Sequence, residues 1–69
     1  MTNKLTENQG IFLKLVDRSM KGREWAPVSD PLWNHTKTMQ AQIPDLVEID
    51  FANQRVRPTD EGKVVLKWM

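Results

Sequence analysis

The chain has 69 residues, enough for one small hydrophobic core and one domain. It contains no cysteine and a single histidine, so the sequence predicts no disulfide framework, no thiol nucleophile, no metal centre and no cofactor. Ten Lys and Arg residues against nine Asp and Glu residues give a net charge of +1, so any affinity for nucleic acid must come from a local patch.

A first helix is predicted from Thr6, because Thr6 followed by Gln9 forms a capping box. At about 100° per residue, one broad arc of this helix is apolar and another side is basic. The apolar arc comprises Ile11, Phe12, Leu15, Val16 and Met20, and the basic side comprises Lys14, Arg18 and Lys21. For the basic side we favour a solvated helix side over a stripe that contacts phosphates. Gly22 is predicted to end the helix in the left-handed conformation.

Residues 25–28 have extended character, but Pro27 lacks an N–H group, which restricts them to a short edge strand or an irregular stretch. A second helix follows. Asp30 is the predicted N-cap and Pro31 the first helical residue, because a residue before proline avoids helical dihedrals. Its core side carries Leu32, Thr36, Met39 and Ile43 at helical spacing.

Pro44 predicts the end of this second helix near Gln42, because it favours extended dihedrals at the residue before it. A turn at His35 and Thr36 is an alternative that would divide the segment into two helices. The pattern therefore leaves open whether residues 31–42 form one helix or two.

The period then changes to two, which predicts a β-hairpin. Val47, Ile49 and Phe51 alternate with Glu48 and Asp50, and Val56 returns between Arg55 and Arg57 after a turn at residues 52–54. Two registers keep Val56 on the apolar face. One places Asp50 opposite Arg55 and Glu48 opposite Arg57, and the other places Asp50 opposite Arg57. Both predict an ion-paired outer face.

A last helix is predicted after Thr59, which caps it, with Asp60 and Glu61 in its first turn near the positive end of the helix dipole. Its apolar surface comprises Val64, Val65, Leu66 and Trp68. The predicted fold is α+β, in the order helix, short edge strand, helix, two-stranded hairpin and helix. Its predicted core comprises Phe12, Leu15, Val16, Leu32, Met39, Val47, Ile49, Val56, Val65 and Leu66.

Residues 46–48 (Leu-Val-Glu) and 56–62 (Val-Arg-Pro-Thr-Asp-Glu-Gly) resemble the winged helix-turn-helix group, especially regulators of the multiple-antibiotic-resistance type. This resemblance implies a small winged-helix-like domain over residues 1–69, with a recognition helix for the major groove and a hairpin wing that touches the DNA backbone. Residues 30–45 are shorter than the group's two helices, Pro58 replaces an apolar strand residue, and the flanking dimerisation helices are missing. Symmetric binding to a palindrome is therefore not implied.

On this interpretation the chain is a small non-enzymatic DNA-binding or transcription-regulatory protein, and its partner is double-stranded DNA. Residues 35–42 contain no acid, and their polar side chains suit base edges and phosphates. The predicted nucleic-acid contacts are Lys37, Thr38 and Gln40 on the helix, with Asn53, Arg55 and Arg57 at the wing. The competing interpretation of the wing is that Glu48 and Asp50 already neutralise its arginines.

The alternative is a protein-interaction module that uses the same scaffold without nucleic-acid affinity and docks on a larger assembly. Trp25, beside an irregular stretch, is its predicted partner-binding residue, whereas Trp33 and Trp68 are assigned to the core. We predict no catalytic residue: Glu48 and Asp50 fit a solvated strand face and His35 a helix surface. With neither a membrane span nor a signal peptide, we expect a cytoplasmic protein, of a size that suits a phage or mobile-element accessory protein.

Overall fold

Three helices and a three-stranded antiparallel sheet make up residues 5–69, which are the residues that the computed structural model describes. The elements are α1 (Glu7–Met20), β1 (Ala26–Pro27), α2 (Asp30–Gln42), β2 (Val47–Asp50), β3 (Arg55–Pro58) and α3 (Asp60–Lys67). The α+β class and the predicted order of elements are confirmed, and the layout is consistent with a small winged-helix-like domain.

The capping box at the start of α1 is confirmed. The Thr6 hydroxyl accepts from the Gln9 N–H and the Thr6 N–H donates to Gln9 Oε1, each at 3.1 Å. The predicted end differs by one residue, because the chain enters the left-handed region at Lys21 (φ 48°) and continues through Gly22 (φ 81°). A lysine in this conformation is uncommon but sterically allowed.

Helix α2 is continuous, so the alternative of a turn at His35 is excluded. The predicted cap was wrong by one residue: Ser29 is the N-cap, and its side chain makes no capping hydrogen bond. Asp30 is the first helical residue and Pro31 the second. The Asp30 carboxylate faces the hairpin instead, where Gln54 Nε2 donates to it at 2.8 Å. A contact distant in sequence therefore decides the role of this carboxylate.

The sheet has the order β1-β3-β2, which leaves the two-residue strand β1 at an edge, as Pro27 predicts. The hairpin adopts the first of the two predicted registers, with Glu48 opposite Arg57, Ile49 opposite Val56 and Asp50 opposite Arg55. Phe51 was wrongly assigned to the inward strand face. It begins the turn and is 65 % exposed.

The core lies between α1, α2 and the inner face of the sheet. It comprises Phe12, Leu13, Val16, Ala26, Met39, Ile43, Leu46, Val47 and Val56. Five of the predicted core residues belong to it, and Ile49, Val65 and Leu66 pack on its margin. Leu15 and Leu32 were wrong, because they are 53 % and 57 % exposed, whereas Leu13, which the predicted arc omits, is fully buried. The buried side of α1 is thus rotated away from the centre of its apolar arc.

The residues that carry the winged-helix resemblance form a junction between the hairpin and α3. Thr59 N–H donates to the Leu46 carbonyl at 2.9 Å, and its hydroxyl donates to the Asp45 carbonyl at 2.6 Å. The same hydroxyl accepts from Gly62 N–H at 3.0 Å and so caps α3 as predicted. A Cβ atom at Gly62 would overlap the Leu46 carbonyl oxygen, so only glycine fits there. These positions have structural roles in this chain.

Candidate interaction surfaces

The outer face of the sheet carries the two hairpin arginines, and both are ion-paired across the strands. Arg55 contacts Asp50 at 2.6 Å, and Arg57 contacts Glu48 at 3.2 Å. These pairs follow from the register, because residues directly opposite in antiparallel strands share a face. Two arginines and two carboxylates leave this group of four side chains without net charge.

Trp25 completes the outer sheet face next to the arginines. The guanidinium carbon of Arg57 lies 4.2 Å from the centre of the Trp25 ring, and that of Arg55 lies 5.1 Å away. Both distances are typical of cation–π contacts. Trp25, the predicted partner-binding residue, is therefore half-buried beneath two cations. We call Trp25, Glu48, Asp50, Arg55 and Arg57 the sheet-face network.

Asn53 holds the hairpin turn through Asp50. Its side-chain amide donates to Asp50 Oδ2 at 2.9 Å and its N–H donates to Asp50 Oδ1 at 3.3 Å. The hydrogen bond from the Asn53 side chain, followed by that from Arg55, lowers the pKa of Asp50 to about 2. The turn is tied as well to the segment between β1 and α2, because Gln54 Nε2 donates to the Val28 carbonyl at 2.8 Å. Asn53 and Arg55 thus meet on one carboxylate.

The candidate residues of α2 lie on two sides of the helix. Gln40 is half-buried and donates to the Val47 carbonyl at 3.0 Å, which occupies an acceptor on the free edge of β2. The Lys37 ammonium lies 5.4 Å from the Trp33 ring centre, and that ring packs edge-on against Phe51. Thr38 is exposed, and its hydroxyl donates to the Asn34 carbonyl at 3.0 Å. Trp33, predicted as core, is only half-buried.

The six predicted nucleic-acid residues therefore fall into two groups. Asn53, Arg55 and Arg57 are bonded to the carboxylates of the sheet-face network. On α2, Gln40 is bonded to the backbone of β2 and Lys37 is half-buried beside the Trp33 ring, which leaves Thr38 as the exposed side chain of the three. Asn34 shares the exposed side of α2 with Thr38, one helical turn before it, and the sequence reasoning missed it.

A second surface is apolar. Six of the seven exposed large hydrophobic side chains in residues 5–69 lie along two connected grooves: Ile11, Leu15, Leu32, Val64, Trp68 and Met69. Trp68 was wrongly assigned to the core, because it follows the last turn of the eight-residue helix α3 and is 83 % exposed. We call these six residues the apolar face.

Two grooves form the apolar face. The first, of about 350 Å³, lies between α1, β1 and α2, and Ile11, Leu15 and Leu32 stand at its lips. The second lies between α1 and α3 and contains Val64, Trp68 and Met69. Ile11 lines both grooves, so the surface is continuous. The sequence already indicates this surface, because the apolar residues of α1 span a wider arc than one neighbouring element can cover.

Within residues 5–69, no group of three His, Cys, Asp or Glu side chains is placed to hold a metal ion. His35 lies at the first groove, edge-on to Phe12 with ring centres 6.4 Å apart. No helix in this part of the chain is long and apolar enough to cross a membrane.

Comparisons of the chain with protein-family models, curated proteins and solved structures found no match.

Proposed function

We propose that this domain is a protein-interaction module that docks on a larger protein assembly through its apolar face. The observation that carries the proposal is the exposure of six large apolar side chains along two connected grooves. Contiguous exposed apolar surface marks interaction sites, whereas single exposed hydrophobic residues need no explanation. The cytoplasmic location expected from the sequence is part of this proposal.

Typical interaction free energies favour the apolar face over the sheet-face network as a binding surface. Full burial of a Leu, Ile or Val side chain contributes about 1.5–3 kcal/mol, and about half of each lip residue remains available to a partner. Exposed ion pairs contribute about 0–1 kcal/mol, and an arginine must leave its carboxylate before it can bind a phosphate. The sheet-face network therefore gains little from an outside anion, while the apolar face gains from any complementary surface.

Photo-crosslinking in cells that express the protein tests this proposal. A photoreactive amino acid at Leu15, Leu32 or Trp68 is expected to give covalent adducts with protein, because these side chains lie on the apolar face. The matched control is the same amino acid at Thr38, which is also exposed but lies on the other side of α2. Adducts at Thr38 alone, or at no position, would contradict the proposal.

The second candidate is the DNA-binding winged-helix regulator that the sequence resemblance implies. It is favoured by Lys37, which lies in the acid-free segment 35–42 of α2 and forms no ion pair within residues 5–69. In an amide-shift titration with a mixed-sequence duplex, this candidate predicts shifts near Lys37, Thr38 and Asn53 that fade as salt rises, because phosphate contacts release counterions. Lys37→Glu should weaken binding and so reduce these shifts at a given DNA concentration. Unchanged spectra at low salt would exclude this candidate.

A further inference from the structure

We infer that the first groove, between α1, β1 and α2, accepts an acidic amphipathic helix of a partner protein. The inference rests on the proposed function and names the chemistry of the partner. The floor of the groove is the core itself, because Phe12, Val16, Met39 and Val56 line it. Its lining includes no Asp, Glu, Lys or Arg. An occupant would thus contact the hydrophobic core of the domain directly.

The groove favours a helix over an extended peptide. An added strand needs free N–H and C=O groups along a sheet edge, whereas a helix satisfies its own backbone. The sheet edge at this groove has few such groups, because Pro27 has no N–H and the Val28 N–H already donates to the Gln54 carbonyl at 3.0 Å. A helix with apolar residues at i, i+3, i+4 and i+7 would fit between the lips at Leu15 and Leu32.

The charge of α1 favours an acidic occupant. Lys14 and Arg18 line a depression together with Ile11, Leu15 and one carboxylate, Asp17, and this depression shares Ile11 and Leu15 with the groove. They are like charges at i and i+4, which is mildly destabilising within one helix, and neither forms an ion pair within residues 5–69. Residues 11–21, which are the C-terminal part of α1 and Lys21 after it, carry three cations and one carboxylate, Asp17; the other carboxylate of α1 is Glu7 in its first turn. Carboxylates that flank the apolar stripe of a partner helix would compensate this excess.

Synthetic peptides test the inference on the full chain. The probe is a helix-forming peptide with leucines at i, i+3, i+4 and i+7 and glutamates on both flanks, titrated into isotope-labelled protein. Its matched controls are the same peptide with lysine for every glutamate and a scrambled peptide of equal composition. We expect amide shifts around Leu15, Leu32 and His35, and at least about tenfold tighter binding of the glutamate peptide than of either control.

Variants at exposed positions sharpen this test, because exposed positions tolerate substitution. Leu32→Ser should weaken binding of the glutamate peptide about tenfold, and the double variant K14E/R18E should reverse the preference toward the lysine peptide. Val64→Ser is the control, since Val64 is equally exposed but lies in the second groove. Retained amide-shift dispersion in each variant verifies its fold.

Each other outcome would overturn the inference. Equal affinity for the glutamate and lysine peptides would show that the groove does not select an acidic partner. Amide shifts around Trp68 and Met69 alone would show that the peptide binds in the second groove. Groove shifts that appear on concentrating the protein without peptide assign the groove to a second copy of this chain. If no peptide binds while photo-crosslinks at Leu15 persist, the inference fails and the proposed function stands; if both are absent, both fail.

Discussion

The sheet-face network and the apolar face differ in whether their side chains find partners within the domain. On the sheet, Arg55 and Arg57 each have a carboxylate and the ring of Trp25. On the helices, Leu15 and Leu32 remain more than half exposed. Residue type alone suggests the opposite, with arginines reserved for a ligand and leucines for the core. The comparison teaches that intramolecular partners decide which side chains are available for binding.

Two leucines of α1 give the largest test of this comparison. Leu13→Ala should destabilise the domain by about 3 kcal/mol, because it empties a fully buried site, whereas Leu15→Ala should change stability by about 0.5 kcal/mol or less. Urea unfolding followed by tryptophan fluorescence measures both free energies. Similar losses for the two variants would show that Leu15 belongs to the core and would remove it from the apolar face.

The junction at Gly62 gives the next test, because it fixes the hairpin on which the sheet-face network depends. Gly62→Ala should cost about 1–3 kcal/mol or more, since its Cβ would overlap the Leu46 carbonyl and separate α3 from the hairpin. Gly22→Ala is the control. Gly22 has open space around it and a φ of 81°, so alanine there should cost only about 1–2 kcal/mol of backbone strain. A larger loss at Gly22 than at Gly62 would contradict the role of the junction.

Local signals in the sequence predicted most of the fold. The capping box at Thr6, the edge strand at Pro27 and the cap at Thr59 each depend on neighbouring residues, and the structure has all three. The sequence limited the hairpin to two registers, because the alternation of apolar residues and the pairing of opposite charges act together. The structure has one of these two registers. The errors of one residue, at Asp30 and Lys21, fall at helix ends, where the exact terminal residue is the least sharply defined part of a helix.

The candidate surfaces were harder to predict, because they depend on which element covers which. Helical spacing places Leu15 on the apolar arc of α1. Only the packed domain shows that β1 and α2 leave its side chain exposed. Likewise, the sequence suggests that Arg57 suits a phosphate, while its contact with Trp25 joins residues 32 positions apart. Contacts between distant segments cannot be derived from local periodicity. Local patterns in the sequence therefore leave both the DNA and the protein-partner hypothesis open.

Trp25 and Arg57 give a smaller test on the sheet side of the comparison. A double-mutant cycle with Trp25→Leu and Arg57→Gln should give a coupling free energy of about 0.5–1 kcal/mol, the usual size of a partly exposed cation–π contact. Pairing Trp25→Leu with Lys63→Gln gives the control, with a coupling near zero. A coupling near zero for Arg57 as well would mean that Trp25 is free for a partner, which would weaken the contrast between the two surfaces.

The smallest expected effect is the pH dependence that Asp50 contributes. Its pKa falls from 3.8 to about 2 in the folded domain, because Asn53 and then Arg55 stabilise the carboxylate. A lowered folded pKa contributes stability that is fully present above pH 3.8 and is lost as pH falls through about 2. The difference in urea midpoint between the natural chain and Asp50→Asn should therefore shrink over this window. Asn53→Ala should already make this difference smaller at pH 5, since that variant lacks the side-chain hydrogen bond that contributes most to the lowered pKa of Asp50. A difference that stays constant down to pH 2 would show that the Asp50 carboxylate is not held by Arg55. An outside anion could then bind Arg55 without displacing Asp50, and the sheet face would again be a candidate site.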